Sequence, residues 1–206
     1  AVMIGDQVRI SGKYESGTSY DGASASGASP FWWGLVQNFA ADVDTGVSKR
    51  AIRFAGVGDR NLGQWVNKPT SYTWSMGFYP QDWRSLAFAF GSVLDAGSPS
   101  PFLHTIRELN SNASVQSGLG AGNFPHFEIN TEERATTAGS NLLRTFRGCT
   151  VDSWTLNASE GEPVTVELNG VARTIAFASG AGSAVTAATT EPFQWQHMQA
   201  HIPSGT

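Results

Sequence analysis

The sequence predicts a mainly β protein of the α+β class, a β-sandwich or barrel with one short amphipathic helix packed on the sheet. Charged residues make up only 15% of the 206 residues while glycine occurs 23 times, a composition typical of sheets with many turns. Several short segments alternate apolar and polar residues, and a single segment has helical periodicity. One helix among strands also excludes repeated βαβ units.

The clearest strand spans residues 71–79, SYTWSMGFY, where apolar and polar residues alternate. Successive side chains of a strand point to opposite faces of the sheet, so the apolar residues share one face. These residues are Tyr72, Trp74, Met76 and Phe78. Weaker strand candidates lie at 101–109, 126–130 and 171–178.

Residues 146–170, FRGCTVDSWTLNASEGEPVTVELNG, read as a strand, a short acidic turn and a second strand. In the second strand Val164, Val166 and Leu168 alternate with polar residues and are predicted to face the core. The chain's single cysteine, Cys149, lies in the first strand. We expect an ordinary packing role for it, because a small buried cysteine is the common case and no motif nearby would activate the thiol.

The helix is predicted at about residues 81–90. Its apolar residues Trp83, Leu86, Ala87 and Phe90 fall at i, i+3, i+4 and i+7, which places them on one stripe. Pro80 and Asp82 suit the start of a helix, and Gly91 suits the position just after its end.

Residues 1–206 are predicted to form one domain. Two segments rich in Gly, Ser and Ala interrupt it, and we expect a flexible arm or loop at about 14–30 and a second long loop at about 178–192. A single cysteine excludes an intramolecular disulfide. No run of about 18 apolar residues exists, so no membrane span is predicted. The net charge of −4 argues against a protein that grips nucleic acid through its phosphates.

The candidate catalytic and metal-binding residues do not form a recognisable site. His197 and His201 have the i, i+4 spacing of a helical metal site, but the segment also reads as a strand, on which they would lie roughly 13 Å apart. Neither the adjacent Glu132 and Glu133 nor the turn residues Glu160 and Glu162 form a pair that spacing identifies as catalytic. The remaining candidates are His104, His126, the glycines 118, 120 and 122, and the sequons at Asn112 and Asn157. We therefore predict no catalytic residue, no cofactor and no metal.

Seven tryptophans raise the alternative of a carbohydrate-binding β-sandwich, such as an adhesin. That function predicts two or three coplanar exposed Trp or Tyr rings on one face. Trp74 and Trp83 instead occupy predicted core positions. The adjacent Trp32 and Trp33 must face opposite sides of a strand, so one of them is expected to be buried by something else, such as a partner subunit. A third alternative, a hydrolase or metal-dependent enzyme, predicts that histidines and a carboxylate converge in a cleft.

The segment 146–170 resembles the hairpin of major tail tube proteins from long-tailed viruses of bacteria and archaea. The resemblance rests on an aromatic residue and a Gly-Cys pair that open the first strand, a Ser-x-x-Leu step, and a Gly-Glu turn before the second strand. In this chain these are Phe146, Gly148 with Cys149, 153–156, Gly161 with Glu162, and 164–168. The segments WWGLVQNF, SYTWSMGFYPQDWRSLAFAFG and EPFQWQHMQ also fit, in the same order, and the last resembles the start of a further strand.

The resemblance implies a tail-tube-type fold and a structural virion protein without catalysis. It implies rings, usually of six copies, whose inner strands join into one barrel and which stack into a tube for DNA delivery. The implied partners are further copies, the tape measure, tail terminator and baseplate or tip proteins, and viral DNA passing without sequence-specific binding. The implied location is the virion tail, after assembly in the host cytoplasm. Tube proteins of this kind usually continue beyond the EPF strand, so we expect C-terminal strands to be missing from this chain or supplied differently.

Overall fold

The computed structural model describes residues 3–15, 30–44, 49–52, 64–67, 70–96, 103–108, 126–135, 141–180 and 185–197. Within these ranges the chain forms eleven strands, one α-helix and one 3₁₀ turn. In chain order they are β1 (Met3–Tyr14), β2 (Leu35–Asp44), β3 (Lys49–Ile52), β4 (Gln64–Asn67), β5 (Ser71–Tyr79), α1 (Arg84–Phe90), β6 (Gly91–Ala96), β7 (Leu103–Glu108), β8 (Phe127–Ala135), β9 (Leu142–Asn157), β10 (Thr165–Ala172), β11 (Thr174–Ser179) and the 3₁₀ turn (Trp195–His197). The prediction of a mainly β fold with one short helix is confirmed.

Seven strands form one curled antiparallel sheet. Its strands are hydrogen-bonded in the order β1-β8-β9-β10-β5-β2, and β11 pairs with β9 beside β10. In the described part of the chain, β3 pairs only with β4 and β6 only with β7, which makes two separate hairpins. The remaining weak candidates at 101–109 and 126–130 fall on β7 and β8.

The predicted hairpin at 146–170 is confirmed, and its first strand is bent. β9 and β10 pair from Asn157 opposite Thr165 back toward Thr150 opposite Val171. The first half of β9 pairs with β8 and β11 instead. Between the halves lies a bulge that adds one residue to β9, and Gly148 there has a φ of 62°, a left-handed conformation that favours glycine. This bend lets one long strand belong to both halves of the curled sheet.

The core fills the space between the two halves of the sheet. The predicted inward residues of β5 and β10 are buried there, with Phe78 at 1% and Val166 and Leu168 at 0% exposure, except that Tyr72 is half-buried against the core. The other large side chains of the core are aromatic rings in mutual contact, among them Phe31, Trp33, Trp74, Phe88, Phe127 and Phe146. Aromatic rings bury the most apolar surface per residue, so this cluster supplies much of the driving force for folding.

The helix is shorter than predicted; Leu86 and Ala87 are buried as predicted, but Phe88 is buried in place of Phe90. It begins at Arg84 rather than about residue 81 and ends at Gly91, whose φ of 98° is left-handed. The prediction that Phe90 belongs to the buried stripe is wrong, because Phe90 is 46% exposed while Phe88 is fully buried. The Phe88 ring lies 4.3 Å from that of Phe127, so the core, rather than the i+7 position, fixes which side of this short helix faces inward.

Two predicted strands differ from the structure. The candidate at 171–178 breaks at Arg173, opposite the left-handed Gly148 of β9, so that β10 ends at Ala172 and β11 begins at Thr174; both strands pair with β9 in the same register. The EPFQWQHMQ segment is not a strand in its described part, 191–197. It makes one bridge between Gln194 and Pro163 and then forms the 3₁₀ turn.

No helix among the described residues has the length and apolarity needed to cross a membrane.

Candidate functional site

Cys149 lies in the core and is fully buried. Its thiol donates a hydrogen bond to the carbonyl oxygen of Phe146, 3.5 Å away. Burial raises the pKa of the Cys149 thiol well above its ordinary value, and the nearby charges of Glu15 and Glu128 raise it further. A thiol held in its protonated form is a poor nucleophile, so this environment suits packing rather than catalysis.

Of the four histidines, only His126 has a described side chain. His126 is buried beside Glu15, with 3.6 Å between Nε2 and Oε2. His104 lies in β7 and His197 in the 3₁₀ turn, where only the backbone is described, and His201 lies outside the described residues. Across the described ranges, no cluster of three or more His, Cys, Asp or Glu side chains could hold a metal ion.

The candidate carboxylates make structural ion pairs or lie in solvent. Glu132 accepts hydrogen bonds from Arg9 and from Asn141 Nδ2, and Glu133 pairs with Arg144. The second pair, Glu160 and Glu162, is exposed in the turn between β9 and β10.

The other candidates give no site within the described ranges. The glycines at 118, 120 and 122, the sequon at Asn112, and residues 16–29 of the predicted arm lie outside them. Asn157 is exposed at the end of β9.

The tryptophans are mostly used for packing. Trp33 and Trp74 are each 3% exposed. Trp32 faces the other way from Trp33, is half-buried, and donates from Nε1 to Gln81 Oε1 at 2.8 Å. Of the Trp and Tyr side chains that the structure describes, only Trp195 is exposed, so the coplanar rings that carbohydrate binding would need are not found there.

The structure instead presents a sheet surface that sequence reasoning did not single out. We call it the polar face: the outward side of the four adjacent strands β9, β10, β5 and β2. Its residues are Ser153, Thr155, Asn157, Thr165, Glu167, Asn169, Val171, Thr73, Ser75, Asn38, Ala40 and Asp42. All but the exposed Val171 are small or polar, two are acids, and none is basic. The even alternation of β5 and β10 predicted the pattern, but only the strand order shows that the four rows adjoin.

The polar face has two edge strands, one on each side. Among the described residues, β2 is bonded to β5 alone, and residues 151–157 of β9 are bonded to β10 alone because the pairing with β8 stops at Cys149. An edge with unpaired backbone groups is a ready template for another strand. The two edges lie at opposite sides of the same four-stranded surface.

A groove of about 700 Å³ opens beside the β2 edge, between β1 and β2. Apolar side chains of both strands line it, and two of them are substantially exposed: Val8 at 43% and Leu35 at 44%. The groove therefore extends the core out to the surface next to one of the two edges.

Comparison with known proteins agrees with the resemblance seen in residues 146–170. The sequence matches a family model described as phage tail tube protein over residues 15–203. No curated protein sequence matches the chain.

Similar solved structures include the SPP1 tail tube, determined by solid-state NMR and cryo-EM, at 8% identity, with 88% of this chain and 82% of that chain covered and a TM-score of 0.47. The baseplate of the anti-feeding prophage matches at 8% identity, with 82% and 92% covered and a TM-score of 0.41. An Hcp protein matches at 13% identity, with 85% and 94% covered and a TM-score of 0.33. The match to the family model spans most of the sequence, and on that ground the chain belongs to the phage tail tube protein family and is a structural subunit of a virion tail tube.

Proposed function

We propose that six copies of this chain form a ring in which the β2 edge of each copy pairs with the β9 edge of the next. Rings stack into a tube, and the polar face lines the channel through which viral DNA passes. The observation that carries this proposal is the pair of edges at opposite sides of one four-stranded surface.

The strand directions support such a joint. All pairings in the β9-β10-β5-β2 surface are antiparallel, and the number of strands is even. When copies are related by rotation about a ring axis, β2 of one copy then runs antiparallel to β9 of the next. The hydrogen-bonding pattern continues without a change of type, and a closed ring leaves no exposed edge.

The width of such a ring suits a conduit. Six copies contribute about 24 strands to one barrel, and barrels of about 16–18 strands already enclose an open aqueous channel. The polar face supplies a channel wall with Asp42 and Glu167 and no basic residue among the positions named above. A wall without Lys or Arg makes no charge-neutralising contacts with phosphates, so it does not hold the DNA that passes through it.

The remaining partners follow from membership of the family. We propose contacts with the tape measure, tail terminator and baseplate or tip proteins, and assembly in the host cytoplasm before the tail joins the virion. The chain acts without catalysis, cofactor or metal.

Proline substitution at adjacent positions of β2 tests the joint. In an antiparallel strand the N–H and C=O of one residue point to one side and those of the next residue to the other. Of Ala40→Pro and Ala41→Pro, one therefore removes a hydrogen bond to β5, and the other removes a donor only from the free edge. The edge variant should keep the wild-type melting temperature and lose polymerisation, while its neighbour should melt earlier.

Negative-stain electron microscopy and native mass spectrometry measure assembly, and circular dichroism measures melting. The wild-type chain should give rings or tubes. A wild-type chain that stays monomeric at every concentration, or an edge variant that polymerises like the wild type, contradicts the proposal.

A further inference from the structure

A buried charged cluster lies where β1 ends. Glu15, the residue after β1, is 1% exposed, and His126 and Glu128 at the start of β8 are each 3% exposed. The Arg147 Nε of β9 lies 3.3 Å from Glu128 Oε1. Charged groups are rarely buried to this extent unless they are paired, because removal from water costs several kcal/mol per ion. Apolar side chains could fill the same space without this cost, which points to a role that requires the charges.

The geometry of Glu15 indicates that role. Its backbone N–H donates to the His126 carbonyl oxygen at 3.4 Å, which continues the β1–β8 ladder by one residue. Its side chain reaches past β8, and Oε1 accepts a hydrogen bond from the backbone N–H of Gly148 at 2.6 Å. Gly148 is the bulge residue at which β9 bends, so the carboxylate satisfies a donor that the bulge takes out of the ladder.

We propose that Glu15 is a positioning residue whose carboxylate locks the bend of β9. The lock joins three strands: β1 through the backbone of Glu15, β8 through His126, and β9 through Gly148. It ties the point at which the chain leaves β1 to the point at which β9 passes from one half of the sheet to the other. In the ring proposed above, and resting on that proposal, the lock sets the direction of the β9 edge that joins the next copy.

Cys149 provides a built-in reporter of this lock. It is the only cysteine, it is fully buried, and it directly follows Gly148. When the bend opens locally, the thiol becomes accessible and reacts with a thiol reagent such as N-ethylmaleimide. The labelling rate of the unassembled subunit therefore measures opening of the bend, whether or not tubes form.

The test compares Glu15→Gln and Glu15→Ala with wild type. We expect labelling of Cys149 at neutral pH to accelerate at least about tenfold in Glu15→Gln and further in Glu15→Ala, because a buried charge-assisted hydrogen bond is lost. Glu132→Gln is the matched control: Glu132 is a similarly buried acid on the same sheet, but its partners are Arg9, Asn141 and Arg134. In this control, any increase in the labelling rate should be no larger than the decrease in its free energy of unfolding, measured in urea, predicts.

Two results would overturn the lock. Cys149 in the Glu15 variants could be labelled at the wild-type rate, or its labelling rate could rise only as much as the loss of global stability predicts, as in the control. Hydrogen exchange of the wild-type subunit gives a measurement that needs no variant. The Gly148 amide should exchange as slowly as the paired amides of β9, and exchange at the rate of an exposed loop amide also overturns it. Failure of the subunit to polymerise bears on the proposed ring alone and leaves both measurements interpretable.

Discussion

Cys149 shows how completely the surroundings of a side chain decide its chemistry. Its thiol donates to the Phe146 carbonyl oxygen in a fully buried position, and burial together with the Glu15 and Glu128 carboxylates raises its pKa. A thiolate at this position could no longer donate a hydrogen bond to the Phe146 carbonyl oxygen, and it would lie near two negative charges. The folded state therefore favours the protonated thiol.

This preference predicts a loss of stability in alkali. The pKa of the thiol is higher in the folded than in the unfolded chain. The contribution of the protonated thiol to folding stability is therefore fully present below the unfolded pKa of about 8.5, and it is lost as the pH rises through the folded pKa. Urea unfolding from pH 7 to 10 should show that the difference in unfolding free energy between wild type and Cys149→Ala shrinks above about pH 8.5. A difference that stays constant over this range would contradict the buried, protonated thiol.

The sequence predicts single residues well where a local pattern fixes them. Val164, Val166 and Leu168 are buried as their alternation predicts. Trp33 is buried and Trp32 half-buried, although both precede β2 and do not lie in a strand. The pair of Glu15 and His126 could not be predicted, because no local pattern relates residues so far apart in the chain. Their meeting depends on β1 lying next to β8, which is a property of the whole sheet.

At the scale of elements, α1 is held by its contact with the sheet rather than by its own sequence. It has seven residues, its N-cap residue Trp83 makes no side-chain hydrogen bond, and the one side-chain contact at its start is the Arg84 N–H donating to Asp82 Oδ1 at 3.0 Å. A helix this short is not stable alone in water, so packing must supply its stability. Phe88 provides that packing through rings of the core, including Phe31 and Phe127.

Phe88 and Phe90 form a matched pair for testing this. Phe88→Ala should lower the free energy of unfolding by about 3–5 kcal/mol, because it leaves a cavity in a closely packed core. Phe90→Ala should change it by less than about 1 kcal/mol, because the ring is 46% exposed. Urea titration followed by tryptophan fluorescence measures both. A larger loss in Phe90→Ala than in Phe88→Ala would mean that the helix is oriented as its i, i+7 spacing predicted, and equal losses would contradict the selective burial of Phe88.

Element boundaries were predictable only where the causes are local. Gly91 ends the helix where expected because glycine adopts the left-handed conformation without strain. The break at Arg173 was missed, because residues 171–178 alternate well enough for a single strand. Its position depends on the partner strand: Arg173 falls opposite Gly148, the left-handed residue of β9, while the register with β9 is the same before and after the break.

At the scale of the whole molecule, the strand order matters most for function. Nothing in the alternation of β2, β5, β9 and β10 says that they are neighbours, so the polar face and its two edges were not predictable from periodicity. The family resemblance implied a channel wall of joined strands. The structure identifies a surface of this chain that has the required character.

The electrostatics of the polar face give a prediction for assembled tubes. If the face lines the channel, the double variant Asp42→Lys and Glu167→Lys places many ammonium groups along the lumen, and short duplex DNA should bind inside at low salt and be released as salt rises. Wild-type tubes should retain no DNA. Sedimentation of tubes with labelled duplexes measures binding, and nuclease digestion distinguishes DNA inside the lumen, which is protected, from DNA on the outer wall.

The matched control replaces Glu160 and Glu162, exposed acids in the β9–β10 turn, with lysine. DNA bound by the control should remain accessible to the nuclease. If DNA bound by the double variant is digested just as fast, the polar face lies on the outside of the tube.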